Sequence, residues 1–467
     1  MRVRFHPALV LSASLLLANS ACLPEDEPPP PAETCDPTTV AAVTHASDIS
    51  VSETWARGVH VVESSLTVRA GARLTIAPCA RVELAADVAL VADDESLGIV
   101  AEGTEAAPID FVRRVAGEPW GALEATAPAT ISLAHANLVG GGSSGVGVAA
   151  ERLGASLAAF APADTGGEVL RVDTVTVRDS TGIGVVLIGA EFDARSASLV
   201  VTRSGAQPVY LGADRATNLP SGAYTGNELD EILLQQAGPA GYANDQPILG
   251  EVILRERGVP YRVGAAGTGG GEIRIGDSRP ESPDASLTIE PGVTLRFTPQ
   301  SSQASQILVM ARYVDGTYEA QGALIAEGTA ARPIVFTSAA ETPAAGDWRG
   351  LYFKDVVDPR SSITHAVIEY AGGDSASIGV CLGSLGATNA DADAALVLFL
   401  GSSSAPSRPF VSATRFSNSA GAGVYRQWQV TDVDFVTGNT FESIAGCWQT
   451  DVANDRNACP DPVVCER

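Results

Sequence analysis

The side chains of this 467-residue sequence that could do chemistry are few and scattered. Asp93-Asp94 is the only pair of adjacent aspartates, and it precedes Glu95-Ser96. Two such carboxylates could share a cation or divide general-acid and general-base work. At a stretch that reads as an exposed turn, a solvated corner is the simpler reading. Asp391 and Asp393, in TNADADAAL, have the same potential but lack the glycine and distal glutamate of a calcium loop. They read as a polar loop before a strand over 395–400. His135 and His365 fall inside strand-like repeats and make poor general bases, and His45 and His60 stand alone. No Gly-x-Ser-x-Gly turn accompanies a plausible triad, and no phosphate loop is present. The expectation is no catalytic residue, no cofactor and no metal centre. The cysteines are Cys22, Cys35, Cys79, Cys381, Cys447, Cys459 and Cys465, without the paired Cys and His segments of a zinc site.

The elements that must position these groups begin with an export signal over 1–21. Arg2 and Arg4 precede an apolar run over 8–18, which spans roughly 16 Å as a helix, about half a bilayer core. Asn19-Ser20-Ala21-Cys22 follows and resembles a bacterial lipobox, in which Cys22 receives lipid. Asn19 stands where that pattern wants Leu, and ordinary cleavage after Ser20 is the alternative. Cysteine parity favours lipidation, because it leaves six cysteines to pair. Residues 22–47 read as a tether, proline-rich and acidic (LPEDEPPPPAE), hence extended and solvated. Leu23 after the lipidated Cys implies the outer membrane, with the body periplasmic or surface-exposed. The membrane is then a partner through the lipid. A formal charge of −25 argues against nucleic acid or an anionic lipid surface.

The rest of the chain repeats itself. Gly58-Val59 matches Gly258-Val259, and LTIAP at 74–78 matches LTIEP at 287–291. AEGT at 101–104, followed by Pro108, Ile109 and Phe111, matches AEGT at 326–329, followed by Pro333, Ile334 and Phe336. Trp120 matches Trp348, His135-Ala136 matches His365-Ala366, and Gly182 and Gly184 match Gly421 and Gly423. The offset only grows, from 200 to 239, so the copies are colinear. They are expected over 48–215 and 248–467, joined by an insertion over 216–247 and ending in a cysteine-rich tail. Within each copy, short runs such as Leu66-Thr67-Val68 and Val82-Glu83-Leu84 recur every six to eight residues between turn residues. That spacing leaves no room for crossover helices. Short strands with one face inward suit an all-β solenoid whose coils stack at ~4.8 Å.

GALIAEGTAARPIVFTS (322–338), GDWRGLYF (346–353) and SSITHAVIEYAGG (361–373) resemble the right-handed parallel β-helices of the pectin-lyase-like superfamily, and GVPYRV (258–263) and LTIEPGVTLRF (287–297) resemble its entry coils. The motifs are specific to fold rather than activity. Gly103 and Gly328 are expected to give a corner its backbone freedom, Pro108 and Pro333 to start strands, and Trp120 and Trp348 to cap the next coil. Polar stretches over 212–246, 265–285, 298–321 and 382–409 are expected to decorate the rod. A solenoid must also protect its ends. Of the fifteen pairings that six cysteines allow, Cys35–Cys79, Cys381–Cys447 and Cys459–Cys465 would fasten the terminal regions.

The superfamily includes polysaccharide lyases and hydrolases. The Asn-Thr-Asp, Gly-His-Gly and Arg-Ile-Lys signatures of its polygalacturonase branch are absent from this sequence. The expected function is a non-catalytic binding or structural protein of the envelope, with a glycan or protein partner. A lyase or hydrolase is the alternative.

Overall fold

A computed structural model of the chain describes residues 35–143, 153–162, 167–234, 247–265, 271–300, 305–374, 393–400, 405–428 and 431–452. Residues 1–34, with Cys22, lie outside that set, as do Asp391, Cys381, Cys459 and Cys465.

A strand of three to six residues with apolar side chains at every second position can bury one side only, so each needs neighbours above and below. ARVEL at Ala80–Leu84 and IVFTS at Ile334–Ser338 are such runs, with alternate residues buried. Their register is parallel from coil to coil. Val82 lies on Phe111, Phe111 on Leu138, Leu138 on Val177 and Val177 on Val201. In the second half, Tyr261, Leu295, Phe336, Ile368, Phe416 and Phe441 form a matching inward column. Burial stabilises each such side chain by roughly 1.5–3 kcal/mol. The architecture is a parallel β-helix.

Each coil has three faces. In the first half, face one carries Arg73–Ile76 and Gly98–Glu102, face two carries Ala80–Leu84 and Ile109–Arg113, and face three carries Leu90–Ala92 and Leu123–Thr126. Faces one and two belong to one bent sheet, because Ile131–Val139 and Gly167–Arg178 each run across both. The bends fall at His135 and Thr174, whose φ values are +42° and +56°. In the second half the three faces are separate sheets, exemplified by Ala285–Ile289, Thr294–Phe297 and Ser305–Val309.

Positions matched in the sequence occupy matching places in the coil. His135 and His365 both sit at the corner between faces one and two with left-handed backbone. The indole N–H groups of Trp120 and Trp348, both fully buried, donate to the carbonyls of Val139 and Glu369 on the following coil. Gly103 and Gly328 have ordinary φ, so their role is not backbone freedom. A Cβ would lie 2.9 Å from the His135 carbonyl oxygen in one and 2.4 Å from that of His365 in the other. Close approach of the next corner is what excludes a side chain there.

The faces do not continue one into the other. Ile232–Leu234 stacks on Val209–Leu211 of face three, yet its other neighbour is Tyr261–Val263, a face-two strand by its repeat position. A 13-stranded sheet therefore joins face three of the first half to face two of the second. On face one the 3-10 helix Ala213–Asn218 stands between Ala190–Phe192 and Glu251–Leu254. Arg215 reaches back to Glu191, and Thr217 accepts from the backbone N–H of Ile253.

Where they are described, the polar stretches expected to decorate the rod contribute to coils. Ala213–Asn218 and Ile232–Leu234, Gly271–Ile275, Ser305–Val309 and Ala394–Leu400 all stack in the body. Their turns are polar enough to hide a short strand in a windowed reading. A face-three strand can hide for another reason. VVLI at Val185–Ile188 is buried on both sides and shows no alternation; AALVLFL at Ala394–Leu400 is similarly buried, but its unbroken apolar run already reads as a strand over 395–400. Among the described residues, one strand pair departs from the stack, the antiparallel pair Arg312–Val314 and Thr317–Glu319 around Asp315-Gly316. Asp-Gly with φ of +46° and +89° is the expected tight hairpin turn.

Cys35 and Cys79 form a disulfide that ties the chain entry to the first coils, 44 residues apart in sequence. Cys447 is also disulfide-bonded. Replacing Cys35 and Cys79 by serine removes a constraint whose chain-entropy ceiling is about 4 kcal/mol. Hydrogen exchange is expected to quicken in Val43–His45 and Gly58–Val62 and to stay unchanged in Ile334–Ser338. Equal exchange at both ends, before and after substitution, would count against an end clamp. Trp348→Ala, which vacates the stack on Phe297 at 4.1 Å, is expected to cost ~3–5 kcal/mol in urea unfolding.

Candidate functional site

Of the residues singled out in the sequence, Asp93, Asp393, His135 and His365 remain apart from one another. Asp93 spends its carboxylate on the backbone N–H of Glu95 in a solvated turn, with Asp94 and Glu95 exposed beside it. Asp393 immediately precedes the face-three strand Ala394–Leu400. His135 is half-buried and His365 exposed. His365 borders an open cleft of about 330 Å³ with Thr329, Arg415 and Asn439.

His45 and His60, taken singly in the sequence, are in contact. His45 Nε2 lies 2.9 Å from His60 Nδ1, and the other His60 nitrogen lies 2.7 Å from the carbonyl oxygen of Ala56. Trp55 stacks on His45 at 4.0 Å and on His60 at 5.2 Å, while its indole N–H donates to Glu53. Burial, then the neighbouring His60, lowers the pKa of His45. This cluster packs under the edge strand Val43–His45 and closes the first coil. A separation of 15 residues between two strands of different length gives no periodic signal of it.

A cleft of about 340 Å³ opens where the stack changes face, lined by Asp214, Arg215, Pro247, Leu249, Gly250, Glu251 and Val252. Its chemistry comes from a strand and from the 3-10 helix that neighbours it one coil further on. Glu191, on Ala190–Phe192, lies in register beside Glu168. Asp214 and Arg215 open the helix, with Ala213 and Ala216 turned into the core. Arg215 Nε lies 3.0 Å from Asp214 Oδ2, and its Nη1 is 3.4 Å from Glu191 Oε1. The Nε contact is an ion pair without hydrogen-bond alignment.

Burial dominates this group. It pushes the Asp214 carboxyl up to about 6, the attraction of Arg215 being the smaller influence, and it raises Glu191 as well, with Glu168 adding to the rise. In a polar cleft, carboxylates that accept and a guanidinium that donates can together hold vicinal hydroxyl groups. A carboxyl still partly protonated near neutral pH can also donate a proton. Among the described residues no three metal-binding side chains converge. The sequence gives no sign of this cleft because its members come from a half-buried strand, a six-residue 3-10 helix and the entry of the next coil.

The stacked parallel coils place the protein in the class of parallel β-helices. Residues 281–373 match a family model described as a pectate-lyase like beta helix domain, so that segment of the stack is similar to this family. No curated protein and no solved structure matches the chain. The matched segment lies in the second half and does not include Glu191, Asp214 or Glu251.

The raised Asp214 carboxyl has a consequence for stability. Its proton is bound more tightly in the folded state than at its ordinary value of 3.8. The stabilisation is therefore complete below about pH 4 and is lost as pH rises through about 6, a difference of about 3 kcal/mol. Asp214→Asn is expected to remove that loss. Urea midpoints of the wild type should fall relative to the variant between pH 4 and pH 7. Parallel midpoints across this range would show that Asp214 is not held protonated by the fold.

Proposed function

We propose that the protein is an envelope-anchored β-helix that binds a glycan or protein partner at the cell surface without transforming it. The observation that carries this reading is the use of its acidic groups. Glu102 accepts from Ser132 and Arg171, and the buried Glu231 is held between Arg262 and Arg296. Carboxylates fixed by guanidinium groups make a rigid hydrogen-bonding surface and are poor bases or nucleophiles. The export signal and Cys22, with the tether after them, support an anchored location. Incorporation of labelled palmitate in the producing bacterium, abolished by Cys22→Ser, is the expected outcome. An unlabelled wild-type protein would sink the lipid anchor.

A second reading, polysaccharide hydrolysis or lysis, is favoured by one observation: Asp214 has the pKa of a general acid and Glu251 lines the same cleft. Reducing-end and unsaturated-product assays on a polysaccharide panel separate the two. Silence across the panel, together with ligand capture on a glycan array, is expected of the binding protein. Turnover lost in both Asp214→Asn and Glu251→Gln would establish the enzyme instead.

A further inference from the structure

We propose that the hairpin at Arg312–Glu319 is a carbohydrate-stacking platform that takes a neutral pyranoside on the faces of Tyr313 and Tyr318. The inference rests on the glycan-binding form of the function above and assigns it a site.

Tyr313 and Tyr318 are the only Tyr, Phe or Trp side chains exposed among the described residues, at 46% and 44%. They are directly opposite each other across the one antiparallel strand pair, with ring centroids 4.9 Å apart. The hairpin stands at the corner between faces three and one, and apart from their contact with each other these two rings belong to none of the apolar core clusters. Exposed aromatic faces offer flat apolar surface at little cost in side-chain entropy, which matches the C–H face of a sugar ring.

A two-stranded hairpin is marginal alone, yet this one is held at its base. The Tyr313 N–H donates to the Ser278 carbonyl. Arg312 donates to the Ser282 carbonyl and to Asp284, and contacts Glu319 on the opposite strand. The platform is thus ordered before any ligand arrives, and binding does not have to order it.

Polar groups beside the rings set the class of sugar. Asp355 ends the neighbouring face-three strand Gly350–Asp355, and its charge is the main influence holding the Tyr318 hydroxyl above its usual range. With Asp284, Asp315 and Glu319 it makes four carboxyl groups against two cations, Arg312 and Lys354. An acidic sugar is repelled there. A neutral one can donate its hydroxyls to the carboxylates.

Isothermal titration of the purified full-length protein with cellohexaose, maltohexaose, mannohexaose and hexagalacturonate tests this. The expected result is binding of at least one neutral hexaose with Kd below about 1 mM. The double variant Tyr313→Ala/Tyr318→Ala should weaken it about tenfold or more, and Tyr313→Phe/Tyr318→Phe should retain most of it. Thermal unfolding of each variant should match the wild type, since both rings are solvent-facing. Undiminished binding by the alanine variant, or a preference for hexagalacturonate, overturns the platform and leaves glycan binding elsewhere on the rod intact. No binding of any oligosaccharide overturns both the platform and the glycan reading beneath it.

Discussion

In-register parallel stacking is the constraint on which the rest of this structure depends. Each short strand satisfies its backbone groups only through the coils above and below, and each inward side chain finds its apolar neighbours in the same places. Val82, Phe111, Leu138, Val177 and Val201 show the result, a column in which no member is in sequence contact with the next. Nearly all the interior is therefore one continuous apolar cluster running from Ile49 to Phe435. Corners obey the same rule. Left-handed residues recur at the bend between faces one and two, at His135, Thr174 and Ser198 and again at His365 and Ala413. A corner of different shape could not stack on its neighbours.

The stack tolerates one change of index. Between Val209–Leu211 and Tyr261–Val263 a single sheet passes from face three to face two. There one face is carried by a 3-10 helix, where buried carboxyls and a guanidinium line a cleft. Regular coils hide backbone and core completely. A departure from regularity is where such a fold can hold charged groups half out of water, and Asp214 and Glu191 are held up by burial for that reason.

The ends and the surface are managed by different means. The entry is closed by the Cys35–Cys79 bond and by Trp55 stacked on two histidines, which cover the apolar end of the first coil. On the flanks, arginine supplies nearly all the positive charge and spans coils to reach carboxylates, as Arg171 does to Glu102. Exposed pairs of this kind contribute little individually. Their effect is to fix the outward side chains in a strongly acidic protein and leave a patterned surface.

The sequence by itself determined the kind of fold. Period-two runs such as Ala80–Leu84, separated by turns too short for helices, admit stacked coils, and the paired AEGT, Trp and His motifs mark equivalent positions along them. It favoured the first disulfide, since Cys35 and Cys79 both belong to the entry, and the structure decided it. It did not determine the face change, the cleft or the meeting of His45 with His60. Those depend on which strand lies on which, and a coil length that varies between neighbours leaves no fixed spacing from which to read it. A doubly buried strand of face three such as Val185–Ile188 was obscured for a related reason: without a solvent side there is no alternation. The role of Gly103 and Gly328 likewise became legible only in three dimensions, because it depends on how near the next corner's carbonyl comes rather than on the glycine's own backbone.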